Sequence, residues 1–224
     1  MTAILLHQWE ISPFCRKVQR ILEHKGLPYQ VQNYNGLLIR QVAQLSPAAK
    51  LPVLDINGER IQDSRRIAAV LEQRFPDLPL VPVDPAERAQ MEILQDWADE
   101  SLYWYEVYFR VNYDAAWRQA VDSLTAGRPA WERSLFHATG RYVMQRQLRG
   151  QGIGRQDKAT VEARFRLLLR SLDRLLTGRT WLVGEHKTLA DIAVASQLLE
   201  IKRTGHLGAD LAAATEVSRW LQTL

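Results

Sequence analysis

A single cysteine stands among 224 residues, so no intramolecular disulfide is available and a reducing compartment is expected. No apolar run approaches the roughly 20 residues that span a bilayer. Met1 to Leu6 has neither the basic region nor the long apolar core of a secretory leader. Both absences point to the cytoplasm and away from a membrane partner. The five histidines, at 7, 24, 137, 186 and 206, show no ligand spacing with cysteine or acid, so no metal is expected. Gly150-Gln151-Gly152-Ile153-Gly154 follows no strand signal, which a phosphate-cradling loop requires. Lys and Arg number 29 against 25 acids, for a net charge of +4. These cations are spread along the chain without a basic tract or a reading motif, which argues against nucleic acid as a partner.

The hydrophobic fraction of 46% and charged fraction of 24% belong to an ordinary globular protein. The first third alternates strand and helix signals. Ala3 to Leu6 reads as a strand, and Phe14 to Lys25 as a helix closed by Gly26. Tyr29 to Tyr34 reads as a second strand, and Leu37 to Gln44 as a short helix. Val53 to Ile56 and Arg60 to Gln62 flank Asn57-Gly58, a hairpin signal. Ser64 to Phe75 is amphipathic, with Ile67, Ala68, Leu71 and Phe75 on one face. The order βαβαββα makes residues 1–75 an α/β domain.

Four prolines, at 76, 79, 82 and 85, mark residues 76–85 as a stiff linker. Only helix signals follow: Ala86 to Asn112 (one helix or a kinked pair), Pro129 to Leu148, Thr160 to Leu176, Leu189 to Ile201, and Leu211 to Leu224. Residues 86–224 therefore read as an all-α domain, with Gly150 to Gln156 as a loop.

The stretch Ser12-Pro13-Phe14-Cys15-Arg16-Lys17 sits between the first strand and the first helix. Pro13 suits a first helical turn, where its missing N–H costs nothing. Helix N-termini present unpaired N–H groups and a partial positive charge, both of which stabilise an anion such as a thiolate. Cys15 is either such a thiolate or a small buried hydrophobe, with Ser12 as helix cap.

Ser-Pro-Phe-Cys-Arg resembles the active-site loop of the thioredoxin-like domain in glutathione S-transferases and glutaredoxins. Glutaredoxins carry two cysteines here; this chain has Ser12 at the first position and keeps only Cys15. It sides with the theta- and delta-like transferases, whose serine steadies the glutathione thiolate. An α/β domain, a proline linker and an all-helical domain repeat the transferase architecture over nearly the whole chain. The resemblance implies glutathione as co-substrate, a small hydrophobic electrophile as the other, and a homodimer.

It also implies roles for particular residues. Pro52 matches the family's cis-proline, whose bond exposes the backbone N–H and C=O of the preceding residue, Leu51, to the cysteinyl part of glutathione. Asp63-Ser64 opens the helix after the hairpin as a capping pair; in the family this pair holds the γ-glutamyl end. Lys50, and more weakly Arg40, match positions near the glycyl carboxylate. Among Tyr103 to Trp117, the stripe Trp97, Trp104 and Tyr108 is read as core, while other aromatics of this helix are open to pocket lining. Thr188 to Asp191 is a broad capping box and, with Trp181 to Gly184, resembles the folding signature of the transferase C-terminal domain.

Two alternatives remain open. The Phe14-Cys15 context and Gly150 to Arg155 are similar to the metaxin and prostaglandin E synthase 2 branch, which includes an isomerase and proteins used for import or binding. That similarity implies a glutathione- or partner-binding module with little conjugation. Thiol transfer through Cys15 is the other.

Overall fold

The computed structural model describes residues 3–224. Strand β1 (Ile4–Gln8) is followed by α1 (Pro13–His24) and β2 (Gln30–Asn33). A 3-10 turn over Gly36–Gln41 leads into α2 (Val42–Leu45), then β3 (Val53–Ile56), β4 (Glu59–Gln62) and α3 (Ser64–Arg74). The strands form one mixed sheet in the order β2-β1-β3-β4. β1 runs parallel to β2, as the helical crossover requires, and antiparallel to β3; β3 and β4 form the hairpin. This βαβαββα arrangement is thioredoxin-like, as expected from the sequence. Asn57 and Gly58 both take positive φ, 52° and 86°, which a two-residue turn matched to strand twist demands.

Ile4, Leu6, Leu54, Ile56 and Ile61 are buried on the sheet, and α1 and α3 add Val18, Ile21, Leu22, Ile67, Ala68 and Leu71. Each fully buried Ile or Leu contributes about 1.5–3 kcal/mol. Lys25 closes this layer. Its buried ammonium donates to the carbonyls of Phe75 (2.8 Å) and Asp77 (3.2 Å) and pairs with Glu72 at 2.7 Å. The cation thus sits where the last carbonyls of α3 need donors.

From α4 (Pro85–Trp97) onward the chain is helical: α5 (Tyr103–Asn112), α6 (Asp114–Leu124), α7 (Ala130–Leu135), α8 (Arg141–Gln151), α9 (Lys158–Leu175), α10 (Leu189–Arg203), α11 (Gly208–Ala213) and α12 (Thr215–Leu221). Wide π turns join α4 to α5 (Ala98–Leu102) and α7 to α8 (Phe136–Gly140). The first shifts the phase of the aromatic stripe, because a π turn takes up more residues than an α turn. Tyr108 and Phe109 are buried beyond it, whereas Trp97 and Trp104 are only half-buried; Trp117, on α6, is buried as well.

The contacts divide the chain into two compact units, Met1–Pro79 with Val121–Phe136, and Leu80–Ala120 with His137–Leu224. This grouping differs from the sequence reading in two places. The stretch read as a linker, 76–85, changes unit at Leu80, which is buried and accepts the Leu189 N–H at 3.0 Å. Residues 121–136 join the thioredoxin-like unit. The expected loop after Gly150 is instead the end of α8 and a 3-10 turn, Ile153–Arg155. The expected last helix is two, because Asp173 on α9 accepts the Val217 N–H at 3.0 Å and starts a fresh helix there.

In the second unit α10 is buried along most of its length. It carries Glu200, which meets Arg110 at 3.5 Å, while Arg110 also pairs with the fully buried Glu106. Burial pushes the Glu106 carboxyl up to about 7, and the neighbouring Glu200 charge adds to this against the pull of Arg110. A carboxyl raised in the folded state stabilises the fold below its unfolded value, near 4.5, and loses that contribution as pH rises through 7. Melting temperature is therefore expected to fall by several degrees between about pH 5.5 and about pH 8, and Glu106→Gln to flatten that fall. A wild-type profile no steeper than that of the variant would contradict this assignment.

Candidate functional site

The registers bring one end of every strand together. Gln8, last in β1, lies beside Asn33, last in β2. His7 faces Val53, first in β3, and Val53 faces Gln62, last in β4. Ser12, Leu51-Pro52 and Asp63-Ser64 each lie a few residues beyond these strand ends. The topology therefore gathers them at one end of the sheet, together with the junction Tyr34 to Leu37 that follows β2.

Ser12 is the N-cap of α1, with Pro13 in the first turn as its fixed φ favours. The Cys15 N–H donates to Ser12 Oγ at 3.4 Å, and the Ser12 N–H donates to the Trp9 carbonyl at 3.1 Å. A serine hydroxyl has two acceptor lone pairs and one proton. Accepting at the cap leaves that O–H available for donation, and Ser12 is partly exposed. Cys15 is buried, with 0% exposure. A sealed thiol cannot meet a disulfide substrate, so the geometry favours the packing reading of Cys15 over the thiolate reading. Lys17, two residues on, is also buried, at 1%. Arg16 donates to Gln19 at 3.0 Å.

The Leu51-Pro52 bond is cis. Pro52 is buried and Leu51 half-exposed. Asp63 caps α3: its Oδ1 accepts from Arg65 N–H (2.9 Å) and Arg66 N–H (3.1 Å). Its φ is +74°, a conformation that costs an L-residue of order 1–3 kcal/mol and persists where the surroundings enforce it. Asp63 is exposed, and Ser64 behind it is 5% exposed. Lys50 and Arg40 are exposed on the segments before β3 and after β2.

Several residues at this end escaped sequence reasoning. His7 was one of the scattered histidines, yet it bridges two strands and the β2 exit. Its Nε2–H donates to Asp55 Oδ2 at 3.1 Å and its Nδ1 meets the Tyr34 hydroxyl at 2.8 Å. Arg60 forks onto Asp55 with two bonds of 2.8 Å, which hold that carboxyl below the usual carboxylate range. Burial raises the Tyr34 hydroxyl. The Trp9 indole N–H donates to the Tyr34 carbonyl at 2.6 Å. On the other side of Tyr34, Asn35 Nδ2 donates to the Ala126 carbonyl at 3.0 Å, and Leu37 N–H donates to Glu132 Oε2 at 2.8 Å. The Asp55–Arg60 pair was findable, since the Asn57-Gly58 turn fixes which residues face each other. Glu132 had no local signal.

Two family models match. The model for the glutathione S-transferase N-terminal domain covers residues 13–116, and the one for the glutathione S-transferase C-terminal domain covers 134–224. The chain belongs to the cytosolic glutathione S-transferase superfamily. An isoprene-epoxide glutathione S-transferase of Rhodococcus sp. (strain AD45) is 25% identical over 86% of this chain and 81% of its own length. Glutathione S-transferase U7 of Arabidopsis thaliana is 34% identical over 105 residues, and this match spans only 44% of each chain. Among solved structures, the beta-etherase LigF of Sphingobium sp. strain SYK-6 superimposes with a TM-score of 0.73 at 19% identity, over 99% of this chain and 94% of that one. Among the described residues, no helix of this transferase-family chain is long and apolar enough to cross a membrane.

Proposed function

We propose that this protein is a glutathione transferase that activates the glutathione thiol for attack on a small hydrophobic electrophile. The observation that carries the reading is the state of Ser12: its oxygen caps α1 through Cys15 N–H while its proton stays available to a ligand at the helix N-terminus. The cysteinyl backbone of glutathione pairs with Leu51 beside Pro52, its γ-glutamyl group with Asp63 and Ser64, and its glycyl carboxylate with Lys50, Arg40 being the lesser candidate.

In the reaction, the thiol proton leaves to solvent and the thiolate is held by the Ser12 O–H and the partial positive charge of α1. Glutathione's thiol, near ~8.5 when unperturbed, favours the thiolate by about 1.4 kcal/mol for each unit of lowering. The sulfur then forms the new C–S bond as the electrophile's leaving group departs with its electron pair. Ser12 is a hydrogen-bond donor here and never a nucleophile, since the sequence around it carries no motif that supplies a base and an orienting acid. Cys15 is assigned to packing. A homodimer acting in the cytoplasm completes the reading.

Calorimetric titration with reduced glutathione, followed by a conjugation assay with an aromatic chloride, tests it. Saturable binding with turnover is expected. Binding without turnover would replace the transferase with a glutathione-binding module, and no binding would reduce Asp63-Ser64 to a helix cap.

A further inference from the structure

Residues 121–136 are a helical excursion that returns to the thioredoxin-like unit, and they return to one place, the junction between β2 and the 3-10 turn. Glu132 is 1% exposed. Its carboxylate accepts the Leu37 N–H at 2.8 Å and is gripped by Arg128, whose Nε and Nη2 donate at 3.1 and 2.6 Å. Asn35 precedes the 3-10 turn without capping it through its own side chain. Glu132 therefore supplies from elsewhere in the chain the acceptor that this turn's second N–H needs. Asn35 instead donates to the Ala126 carbonyl at 3.0 Å, a second tie to the same excursion. Gly36, at φ +58°, is the residue that permits the approach: a Cβ there would overlap the Glu132 carboxylate.

What the excursion holds still is joined to Ser12 by a short backbone stretch and two hydrogen bonds. Leu37 fixes the backbone back to Tyr34. The Tyr34 carbonyl takes the Trp9 indole N–H at 2.6 Å, and the Trp9 carbonyl takes the Ser12 N–H at 3.1 Å. From beneath, His7 locks the Tyr34 hydroxyl at 2.8 Å. Tyr34 is thus held on both sides, and the loop carrying Ser12 hangs from it.

We infer that Glu132 is a positioning residue for Ser12: with Arg128 and Asn35 it clasps the exit of β2 and so sets, through Tyr34 and Trp9, where the Ser12 hydroxyl stands. The catalytic part of this inference rests on the proposed activation of glutathione by Ser12.

The test uses the full chain and two readouts, the Trp9 indole N–H resonance in 15N-labelled protein and the pH dependence of kcat/KM for glutathione with an aromatic chloride. Glu132→Ala is expected to shift the indole resonance. It should also lower kcat/KM about tenfold, the scale of one lost hydrogen bond, with the pH profile displaced upward as the thiolate loses its donor. Glu132→Gln, which still accepts from Leu37 N–H, should recover most of the loss; a purely structural effect would leave the pH profile in place. If Glu132→Ala fails to fold, Asn35→Ala removes the second tie with Arg128 still paired, and about threefold is expected by the same readouts. An unmoved indole resonance, or a shifted one with unchanged kcat/KM in a wild type that turns over, overturns the inference. A wild type that does not bind glutathione sinks the proposed function alone. The indole resonance of the variant then decides the clasp, supporting it if shifted and overturning it if not.

Discussion

Asp191→Ala is expected to lower the melting temperature by about 10 °C or more. Asp191 is fully buried near the start of α10, and four donors converge on its two oxygens. Oδ1 accepts Leu182 N–H at 2.8 Å and the Trp220 indole N–H at 3.0 Å, while Oδ2 accepts Thr188 N–H at 2.8 Å and Thr188 Oγ1–H at 2.9 Å. One side chain thereby pins the segment before α10, the cap of α10 itself and the last helix. Burial raises this carboxyl while the four bonds pull it back. Truncation leaves three N–H donors in the interior without acceptors, each costing about 1–3 kcal/mol. A total of about 4 kcal/mol or more follows, and at roughly 2–4 °C per kcal/mol for a chain of this size the shift is large. Asp191→Asn is expected to recover little, because its NH2 would face two further donors. Thermal unfolding followed by circular dichroism measures both variants; a shift under about 3 °C for Asp191→Ala would refute the account.

Ser12→Ala carries the largest expected effect on activity. If Ser12 donates to the thiolate, its loss removes one preorganised donor from the reacting sulfur, and removal of such a donor typically costs about 10²–10³ in kcat. Glutathione affinity should change by less than about threefold, because the binding contacts are assigned to Lys50, Leu51, Asp63 and Ser64 and a neutral hydrogen bond contributes only about 1 kcal/mol. Stability should fall by about 1 kcal/mol for the lost cap. Cys15→Ala is the counterpart, with a packing loss in stability and turnover kept. Conjugation that proceeds at the wild-type rate in Ser12→Ala would remove Ser12 from the mechanism, whatever happened to binding.

The parts of this fold that were legible in the sequence are those written in local chemistry. Asn57-Gly58 announced its hairpin because both residues tolerate positive φ. Thr188 and Asp191 announced the start of α10 because a hydroxyl and an acid three residues apart satisfy each other's backbone groups. Ser12-Pro13 announced the start of α1 for the same kind of reason. At the site, Ser12, Leu51, Pro52, Asp63 and Ser64 were named from motif and family likeness, and strand register shows why they share one end of the sheet.

What was not legible depended on distant partners. His7 reads as an isolated histidine until β3 and the β2 exit supply Asp55 and Tyr34. Lys17 reads only as one of the cations that follow Cys15, and nothing local says that it is buried. Glu132 lies 95 residues from Leu37 and belongs to a helix with no strong pattern of its own. The phase of the aromatic stripe failed at Ala98–Leu102 because periodicity arguments assume one kind of turn, and this helix changes turn midway.

The return of residues 121–136 to the first unit has a consequence for synthesis. An N-terminal domain made of one continuous stretch can finish folding while the ribosome is still adding the next. Here Pro79 can leave the ribosome with the β2 exit still lacking Glu132 and the Ala126 carbonyl, which arrive only after the first stretch of the second unit has been made. At roughly 5–20 residues per second the delay is several seconds. During that interval the nascent thioredoxin-like unit has its sheet but not its clasp, so the Ser12 loop reaches its final setting only once the chain has passed residue 136.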